Sequence, residues 1–597
     1  MARMFDSNVL LDNRLRLPFE AGYRAGQALM MNCRPTICRG LGFRSAVAVL
    51  LACFWMAGEG RGLHAAPARP NVVFILADDL GYGDVHCLNA GSRIPTPNLD
   101  RLAAQGMIFT DAHSSSAVCT PTRYGLLTGR YNWRSRLQQG VQGAMSPPLI
   151  EPGRLTLPEF LRRQGYYTAC IGKWHLGMDW ALRPGATPFD DTIERGEAAW
   201  QADFTRPMGG GPNRVGFDEF FGIAGSLDMV PYTFIRDDQV TRMPTETNAL
   251  EMVSGVPGRP TRRGPAAPGF TAEEVLPTLL RKAVETLERR AAVPDAPPFF
   301  LYLPLTAPHT PIAPTAAWRG RSGLNPYADF VMQLDADVGA LMSTLERLGL
   351  SDNTLVVFTS DNGCSPEAGL DALHAAGHRP SAQFRGAKAD LFEGGHRIPL
   401  LVRWPGRVPA GRTCGQLVCL NDWFATLADI LGAPLPETAG EDSVSMLPAL
   451  EGRESAPARE VLVHHSINGS FAVRQGSWKL LLCADSGGWS EPRPGSSVAK
   501  TLPSVQLYQL AMDPGETNNV AAAHPDVVRR LSALLRNCVA EGRSTPGAPR
   551  TNTVEVQVPA ELSRWAPARD AAPEASRPAA PPDRSANSVA PGSLTCR

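Results

Sequence analysis

The sequence has no excess of charge of either sign and fewer charged residues than most soluble proteins. Lysine plus arginine and aspartate plus glutamate each number 58 in 597 residues, and charged residues make up 19% of the chain. Nucleic-acid binding requires a marked basic excess, so we predict no nucleic-acid partner. An anionic ligand must therefore be bound by cations that the fold gathers locally.

Two further patterns are missing from the sequence. No spacing of Cys and His is typical of a structural zinc site, and no internal repeat divides the chain. The apolar stretch near the N-terminus, residues 45–58, is shorter than the about 20 residues that a transmembrane helix needs. The length and composition instead favour a globular protein of two or three domains with a large core.

Residues 1–66 are predicted to be a leader that carries a secretory signal peptide. Arg39 and Arg44 precede the apolar residues 45–58, and small residues follow up to Ala66. This order is typical of such a signal, so we expect cleavage near Ala66 and export to the periplasm or the medium. Cys53 loosely fits a bacterial lipoprotein box, and the protein would meet a membrane only if it were lipid-anchored there.

Buried strands alternate with helices through most of the chain. Apolar runs rich in β-branched residues predict strands at 71–77, 167–171, 299–305 and 355–359. This alternation predicts an α/β domain over residues 67–450, with a mostly parallel mixed sheet flanked by helices. Short strand-like runs and one helix predict a smaller α+β domain with an antiparallel sheet at 451–545. The Pro- and Ala-rich tail at 546–597 is expected to be disordered.

The ends of two predicted strands carry pairs of oxygen-bearing side chains. Asp78 and Asp79 follow the first strand, and Asp361 and Asn362 follow the last. In open α/β sheets the ligand crevice lies outside the carboxyl ends of the strands, where these side chains can converge. Such a set suits a hard cation, and Ca²⁺ better than Mg²⁺, because Ca²⁺ is more often held by protein oxygens alone. Each pair could instead cap a helix.

Residues 119–130 contain the most specific pattern, Cys-Thr-Pro-Thr-Arg-Tyr-Gly-Leu-Leu-Thr-Gly-Arg. It resembles the signature of type I sulfatases, in the alkaline phosphatase-like superfamily, and the likeness extends over about residues 70–545. Similar blocks occur at 172–177, 306–311 and 385–399. The alternative is a buried Cys119 near a turn, since free cysteine is often a small core residue.

The resemblance implies a covalent mechanism at residue 119. Cys119 would be oxidised to formylglycine by a formylglycine-generating maturation enzyme, and Arg123 would steady the product. The hydrated aldehyde offers one oxygen to attack sulfur and a second to expel sulfate, whereas a thiol would be trapped after the first step. Asp361 is implied to help activate the attacking hydroxyl, and His175 to take the proton from the remaining one.

The resemblance also implies which residues hold the sulfate and the cation. Lys173, His309 and Lys388 would bind the sulfate, and the cation would be held by Asp78, Asp79, Asp361, Asn362 and residue 119. The chain departs from some arylsulfatases, which carry a sulfate-contacting histidine in a Ser-His-Asp segment. Here that segment is Ser226-Leu227-Asp228, and His309 is the histidine that fits other branches of the family.

A sulfated glycan is the substrate that the resemblance implies, with small aryl sulfates also hydrolysed. His378 and Arg385 are candidates for binding a second anionic group, such as a uronate or another sulfate. A solvated loop is the alternative for both. The less regular segments 226–232 and 374–384 and the pair His464–His465 are the candidate determinants of specificity.

Two other functions stay open at the level of sequence. Phosphomonoesterases and phosphonate hydrolases share the scaffold, and the related phosphatases usually have a Ser or Thr nucleophile and two metals, whereas this chain shows one oxygen-rich cation site. If Cys119 stays a thiol, the protein could instead be a catalytically silent, exported glycan-binding protein.

The chemical state of residue 119 is therefore the first testable prediction. In protein purified from its native host, the tryptic peptide 102–123 should have the mass of formylglycine or its hydrate. An unmodified thiol in well-folded native protein would contradict the sulfatase mechanism and favour the glycan-binding alternative.

Overall fold

A computed structural model describes residues 69–192, 196–453 and 459–564 of the chain. The predicted signal peptide lies outside these residues. Its strands are β1 (Asn71–Asp78), β2 (Met107–Phe109), β3 (Ala112–His113), β4 (Tyr167–Lys173), β5 (Glu219–Ile223), β6 (Ile235–Arg236), β7 (Gln239–Val240), β8 (Glu246–Asn248), β9 (Gly264–Ala266), β10 (Phe299–Pro308), β11 (Thr354–Ser360), β12 (Leu400–Arg403), β13 (Arg412–Cys414), β14 (Val418–Cys419), β15 (Val461–His465), β16 (Phe471–Gln475), β17 (Trp478–Leu481) and β18 (Gln506–Gln509).

Helices cover the strands and connect them. The α-helices are α1 (Pro97–Ala104), α2 (Cys119–Thr128), α3 (Leu157–Arg163), α4 (Val275–Ala291), α5 (Pro326–Arg347), α6 (Leu370–Ala375), α7 (Glu393–His396), α8 (Trp423–Ile430), α9 (Leu447–Leu450), α10 (Pro525–Ala540) and α11 (Ala560–Arg564). Within the described ranges, none of the helices has the length and apolar character needed to cross a bilayer.

The largest sheet has ten strands in the order β13-β2-β12-β11-β1-β10-β4-β5-β6-β7. Its centre is parallel, because β1 pairs in parallel with both β10 and β11, and β4 pairs in parallel with β10 and β5. Strands β12 and β6 are antiparallel to their inner neighbours. The prediction of a mixed, mostly parallel sheet is confirmed, and each of the four predicted strands is present with slightly longer bounds.

The carboxyl ends of four central strands meet at one edge of this sheet. Strand β1 ends at Asp78, β4 at Lys173, β10 at Pro308 and β11 at Ser360. These strands are almost completely buried, as their continuous apolar sequences require in a parallel sheet covered on both faces. Parallel pairing therefore places the residues that follow each strand in one crevice.

The smaller sheet is antiparallel, as predicted, in the order β15-β16-β17-β18. Helix α10 packs on it, and Val528, Leu531 and Leu535 share an apolar core with the strand residues Leu462 and Leu480. Tyr131 and Trp133 of the large domain belong to the same core. The two sheets consequently lie in one compact unit that begins at Arg69.

Part of the tail that the sequence predicts to be disordered, residues 546–564, has defined contacts. Residues 546–564 are among the described residues and lie against the large domain. Arg130 donates to Thr553 Oγ1 (3.1 Å) and Arg134 to Asn552 Oδ1 (2.9 Å), while the Thr553 amide donates to the Arg134 carbonyl (2.9 Å). Buried arginines need acceptors, and this segment supplies them. Residues 565–597 lie outside the described residues.

Gly172 permits the close approach of strands next to the crevice. Its φ is +148°, and a Cβ there would lie 1.9 Å from the Pro304 carbonyl oxygen.

We predict that Gly172→Ala lowers the free energy of unfolding by more than about 3 kcal/mol, since the backbone of β10 would have to move. Gly185→Ala is the control: its φ is +78° but no atom lies within 4 Å of the added Cβ. It should cost only about 1–2 kcal/mol. Equal losses in urea denaturation would contradict the steric explanation.

Candidate active site

The crevice at the sheet edge gathers nine of the predicted site residues. Asp78, Asp79, Cys119, Arg123, Lys173, His175, Asp361, Asn362 and Lys388 are all buried. Cys119 is the first residue of α2, whose N-terminus carries the positive end of the helix dipole. Helix α2 is buried along its whole length, so its start is held rigidly beside the strand ends.

Arg123 connects α2 to the end of β11. Its Nε and Nη2 donate to Oδ2 of Asp361 at 3.1 and 2.7 Å, and its Nη1 donates to the Lys173 carbonyl at 2.9 Å. Cys119 and Arg123 are four residues apart on one helix, so the hydrogen bonds of Arg123 also restrict the position of Cys119. The geometry agrees with a steadying role for Arg123.

The other two cations each contact one carboxylate. Lys173 Nζ donates to Asp78 Oδ2 at 2.6 Å, and Lys388 Nζ lies 2.8 Å from Asp79 Oδ1 and 2.9 Å from Oδ2. With Arg123 and Asp361, three positive and three negative side chains balance in a buried space. Such pairing is what makes burial of these charges tolerable.

The carboxylates respond differently to this environment. Burial would raise the pKa of Asp78, but the positive charges of Lys173, His309 and Arg123 outweigh it and hold that pKa well below its usual value. Burial and the neighbouring charge of Asp78 raise the pKa of Asp361 to about 6, against the opposing effect of Arg123. Both carboxylates are therefore ionised at neutral pH. Burial raises the pKa of the Cys119 thiol, although Lys173 and Lys388 oppose the shift.

The oxygen atoms of the crevice fit a hard cation. Asp78 Oδ1 and Asn362 Oδ1 are buried and have no hydrogen-bond partner. Asn362 donates its Nδ2 to Asp79 Oδ1 (2.7 Å) and to the Gly363 carbonyl, while its own oxygen accepts no hydrogen bond. Unpartnered buried oxygens are costly unless a cation or a donor occupies the space beside them. Ligand atoms of Asp78, Asp79 and His309 also lie close enough together to hold a metal ion.

His175 follows the end of β4 in a left-handed conformation, with φ of +58°. Its Nε2 lies 2.8 Å from the Gln142 carbonyl oxygen, so Nε2 carries the proton and donates it. The Nδ1 atom is then the free, basic nitrogen, and it is buried with no partner. Burial and the positive charges of Lys173 and Arg123 hold the pKa of His175 well below its ordinary value. The ring is thus a neutral base at physiological pH.

His309 and Ser226 form the side of the cluster next to Lys173. Ser226 Oγ lies 3.2 Å from Lys173 Nζ and 3.3 Å from both ring nitrogens of His309, whose Nε2 is 3.7 Å from Asp79 Oδ2. His309 therefore joins the other predicted residues. Sequence reasoning missed the part played by Gln142, because it acts through a carbonyl oxygen that every residue possesses.

His378 and Arg385 are not aimed at the crevice as anion-binding groups, which corrects that prediction. His378 is buried, with Nε2 2.7 Å from Asp84 Oδ1 and Nδ1 accepting from the Arg93 amide (3.2 Å). The Arg385 guanidinium donates to the Glu516 carbonyl (2.9 Å) and lies 3.8 Å from the centroid of the Phe392 ring. Both side chains are occupied by structural contacts.

His464 and His465 are also buried, and His464 belongs to a separate cluster with His113 and His396. The rings of His396 and His464 stack with centroids 3.7 Å apart and planes at 19°. Because imidazole lone pairs lie in the ring plane, stacked rings do not direct both lone pairs at one ion. This cluster is therefore a packed polar core between the sheets.

Comparison with known proteins identifies the family. The family model described as Sulfatase matches residues 70–433, so the chain belongs to the type I sulfatases of the alkaline phosphatase-like superfamily. A curated relative from Bacteroides thetaiotaomicron, N-acetylgalactosamine-6-O-sulfatase, is 33% identical over 529 residues, covering 82% of this chain and 97% of the relative. Human arylsulfatase A is 33% identical, with 79% and 88% covered.

A solved structure supports the same fold. It comes from work on glycosaminoglycan metabolism by Bacteroides thetaiotaomicron and has a TM-score of 0.66 and 32% identity, covering 79% of this chain and 99% of that one. The protein is thus an enzyme that hydrolyses sulfate esters.

Replacing Arg123 tests the charge balance of the site. Arg123→Met should lower the free energy of unfolding by about 3–5 kcal/mol, because it leaves the buried Asp361 without its cation. Arg162→Met is the matched control, since Arg162 is half exposed and pairs with Glu159 at 2.7 Å on the surface. Its cost should stay below about 1 kcal/mol. Similar losses for the two variants in urea denaturation would contradict the inferred balance.

Proposed function

We propose that the enzyme removes sulfate from a sulfated carbohydrate, using formylglycine at position 119 and a bound Ca²⁺, with Mg²⁺ as the alternative. One observation carries this proposal: Cys119 starts a buried helix beside three carboxylates and three cations. A glycan-binding protein has no need of this arrangement around a convertible cysteine.

Residue 119 as formylglycine would supply a hydrated aldehyde that attacks sulfur with one hydroxyl and expels sulfate with the other. Arg123 holds the start of α2 through Asp361, so the residue stays in a single orientation. In this proposal the carboxylate of Asp361 accepts a proton from the attacking hydroxyl. A fixed orientation of reacting groups removes an entropic part of the barrier.

The cation would be held by Asp78, Asp79, Asp361 and Asn362, together with residue 119. When bound, it would neutralise charge on the sulfate oxygens and make the attacking hydroxyl more acidic. The unpartnered oxygens of Asp78 and Asn362 support this assignment. Because the side chains alone are balanced in charge, a divalent ion would give the crevice the net positive charge that an anionic ester needs.

In this proposal Lys173, Lys388 and His309 bind the sulfate. Both lysines point their ammonium groups into the crevice, where they already contact Asp78 and Asp79. Preorganised cations of this kind stabilise charge that develops on the ester oxygens. His309, which lies beside Ser226, would help the departing oxygen to leave.

In this proposal His175 completes the catalytic cycle. Its Nδ1 is unprotonated and unpartnered, so it can take the proton from the remaining hydroxyl and let sulfate leave. Because the pKa of His175 is low, Nδ1 stays unprotonated at neutral pH and somewhat below it.

The names of the relatives suggest where to look for the substrate. The bacterial relative is an N-acetylgalactosamine-6-O-sulfatase, and mammalian N-acetylgalactosamine-6-sulfatases are about 30% identical. A carbohydrate carrying a sulfated N-acetylgalactosamine is therefore the first candidate, with small aryl sulfates as surrogate substrates. We also propose export of the protein and maturation of Cys119 by the enzyme that makes formylglycine, on the basis of the leader and the Cys119 motif.

An ester comparison separates the three functions considered. Matured enzyme should hydrolyse p-nitrophenyl sulfate faster than p-nitrophenyl phosphate, lose activity with a chelator, and regain more of it with Ca²⁺ than with Mg²⁺. Cys119→Ala should abolish turnover. Glu273→Gln is a control, since Glu273 pairs with Arg319 on the surface. Faster phosphate hydrolysis would favour the phosphatase alternative, and glycan binding without any turnover would favour the binding protein.

A further inference from the structure

A loop of the smaller sheet lies beside the crevice. The Trp489 loop, Ser486–Pro492, belongs to the connection between β17 and β18. Asp390 Oδ1 accepts hydrogen bonds from the backbone amides of Trp489 (2.8 Å) and Ser490 (3.0 Å). The Leu391 amide donates to the Ser486 carbonyl at 2.8 Å. The loop is therefore attached to the segment that carries Lys388.

That segment is itself part of the wall around residue 119. Lys388 contacts Asp79, and the Ala389 amide donates to the carbonyl of Ala117 (2.8 Å), two residues before Cys119. Gly488 packs directly on this segment, because a Cβ there would lie 2.4 Å from the Ala389 carbonyl. The loop backbone is thus packed on Ala389, the residue that follows Lys388. Since the loop is already ordered, binding a ligand would cost little conformational entropy there.

Trp489 is exposed on this fixed loop. Its exposure is 41%, and the remaining tryptophans of the described ranges are buried or half-buried. Among the described residues no ring or cation stacks on the indole, and no acceptor takes its N–H. An indole presents an apolar face and a polar N–H, a combination suited to a partner with C–H groups and hydroxyls.

The charges of the loop indicate an uncharged partner. Glu491 and Arg493 pair with each other at 3.2 Å, and Arg385 is engaged with backbone carbonyls. The exposed pair of Glu491 and Arg493 carries no net charge, so the loop has no excess of positive charge to attract a second sulfate or a carboxylate. A sugar ring stacks its axial C–H groups on an aromatic face and keeps its hydroxyls in water.

We propose that Trp489 is a stacking platform for the uncharged sugar ring next to the sulfated one, so that the enzyme prefers oligosaccharides to monosaccharides. The inference rests on the proposed action on sulfated carbohydrate and adds a subsite to it. Trp489 determines specificity and binds the substrate at a distance from the reacting sulfur.

The test compares two substrates that carry the same sulfate. One is N-acetylgalactosamine 6-sulfate, and the other is that sugar linked to galactose. Trp489→Ala should lower the ratio of kcat/KM for the disaccharide over the monosaccharide about tenfold, mostly through KM, as expected for truncation of one binding anchor. Trp489→Phe should restore most of the ratio. Met512→Ala is the matched control, because Met512 is an exposed apolar side chain of the same domain (85% exposed).

The outcomes distinguish this inference from the proposed function. A ratio that Trp489→Ala leaves unchanged, in an enzyme that hydrolyses both sugars, overturns the stacking platform alone. Hydrolysis of p-nitrophenyl sulfate but of neither sugar overturns N-acetylgalactosamine 6-sulfate as the sulfated ring, and with it the platform proposed beside that ring. If the wild type dimerises and Trp489→Ala only dissociates the dimer, a second copy covers the indole and the proposal is wrong.

Discussion

The site depends on burying three carboxylates beside three cations at one edge of a parallel sheet. Asp78 contacts Lys173, Asp79 contacts Lys388, and Asp361 contacts Arg123. An isolated buried charge costs several kcal/mol, so removal of any one partner destabilises the fold by leaving the other charge buried and unpaired. The same cations that neutralise the carboxylates face the space where an anionic ester would bind. Under the proposed function, one set of groups would therefore balance the buried charges and bind the anionic ester.

This balance also constrains the backbone around it. Asp79 and His175 have φ of +67° and +58°, a conformation that side chains other than glycine adopt only at some cost. Asp79 directly follows β1, and His175 lies two residues beyond the end of β4. At both positions the chain turns sharply at the edge of the crevice. The surrounding hydrogen bonds maintain these conformations, including the donation from His175 Nε2 to the Gln142 carbonyl.

The smaller domain packs on the large domain and on the segment that carries Lys388. Its core includes Tyr131 and Trp133 of the large domain, and residues 546–564 supply acceptors for Arg130 and Arg134. The Trp489 loop rests on Ala389, in the wall that also carries Lys388. The packing around the crevice thus involves a part of the chain that lies far along in sequence from Cys119.

Much of the fold and the central site could be predicted from local sequence. Long apolar runs such as β1 must be buried on both faces, and parallel strands place their carboxyl ends at one edge, which brings Asp78 and Asp361 together. The pattern from Cys119 to Arg130 is specific enough to indicate the family by itself. These features are encoded in short stretches of the chain, where spacing and hydrophobicity are sufficient.

Other features depended on the tertiary structure, because they join residues far apart in the chain. A histidine such as His378 can bind an anion, yet its Nε2 is hydrogen-bonded to Asp84, which lies 294 residues earlier. The partner of His175 is a backbone carbonyl, which no side-chain pattern can indicate. Residues 546–564 resemble a disordered segment in composition, yet Asn552 and Thr553 accept hydrogen bonds from the buried Arg134 and Arg130. The sequence by itself determined the strands, the pairs of oxygen-bearing side chains at their ends and the family motif at Cys119, because these depend on short stretches of chain. Packing decided which polar groups are paired and which stay unpartnered, because those contacts join residues that are far apart in the sequence.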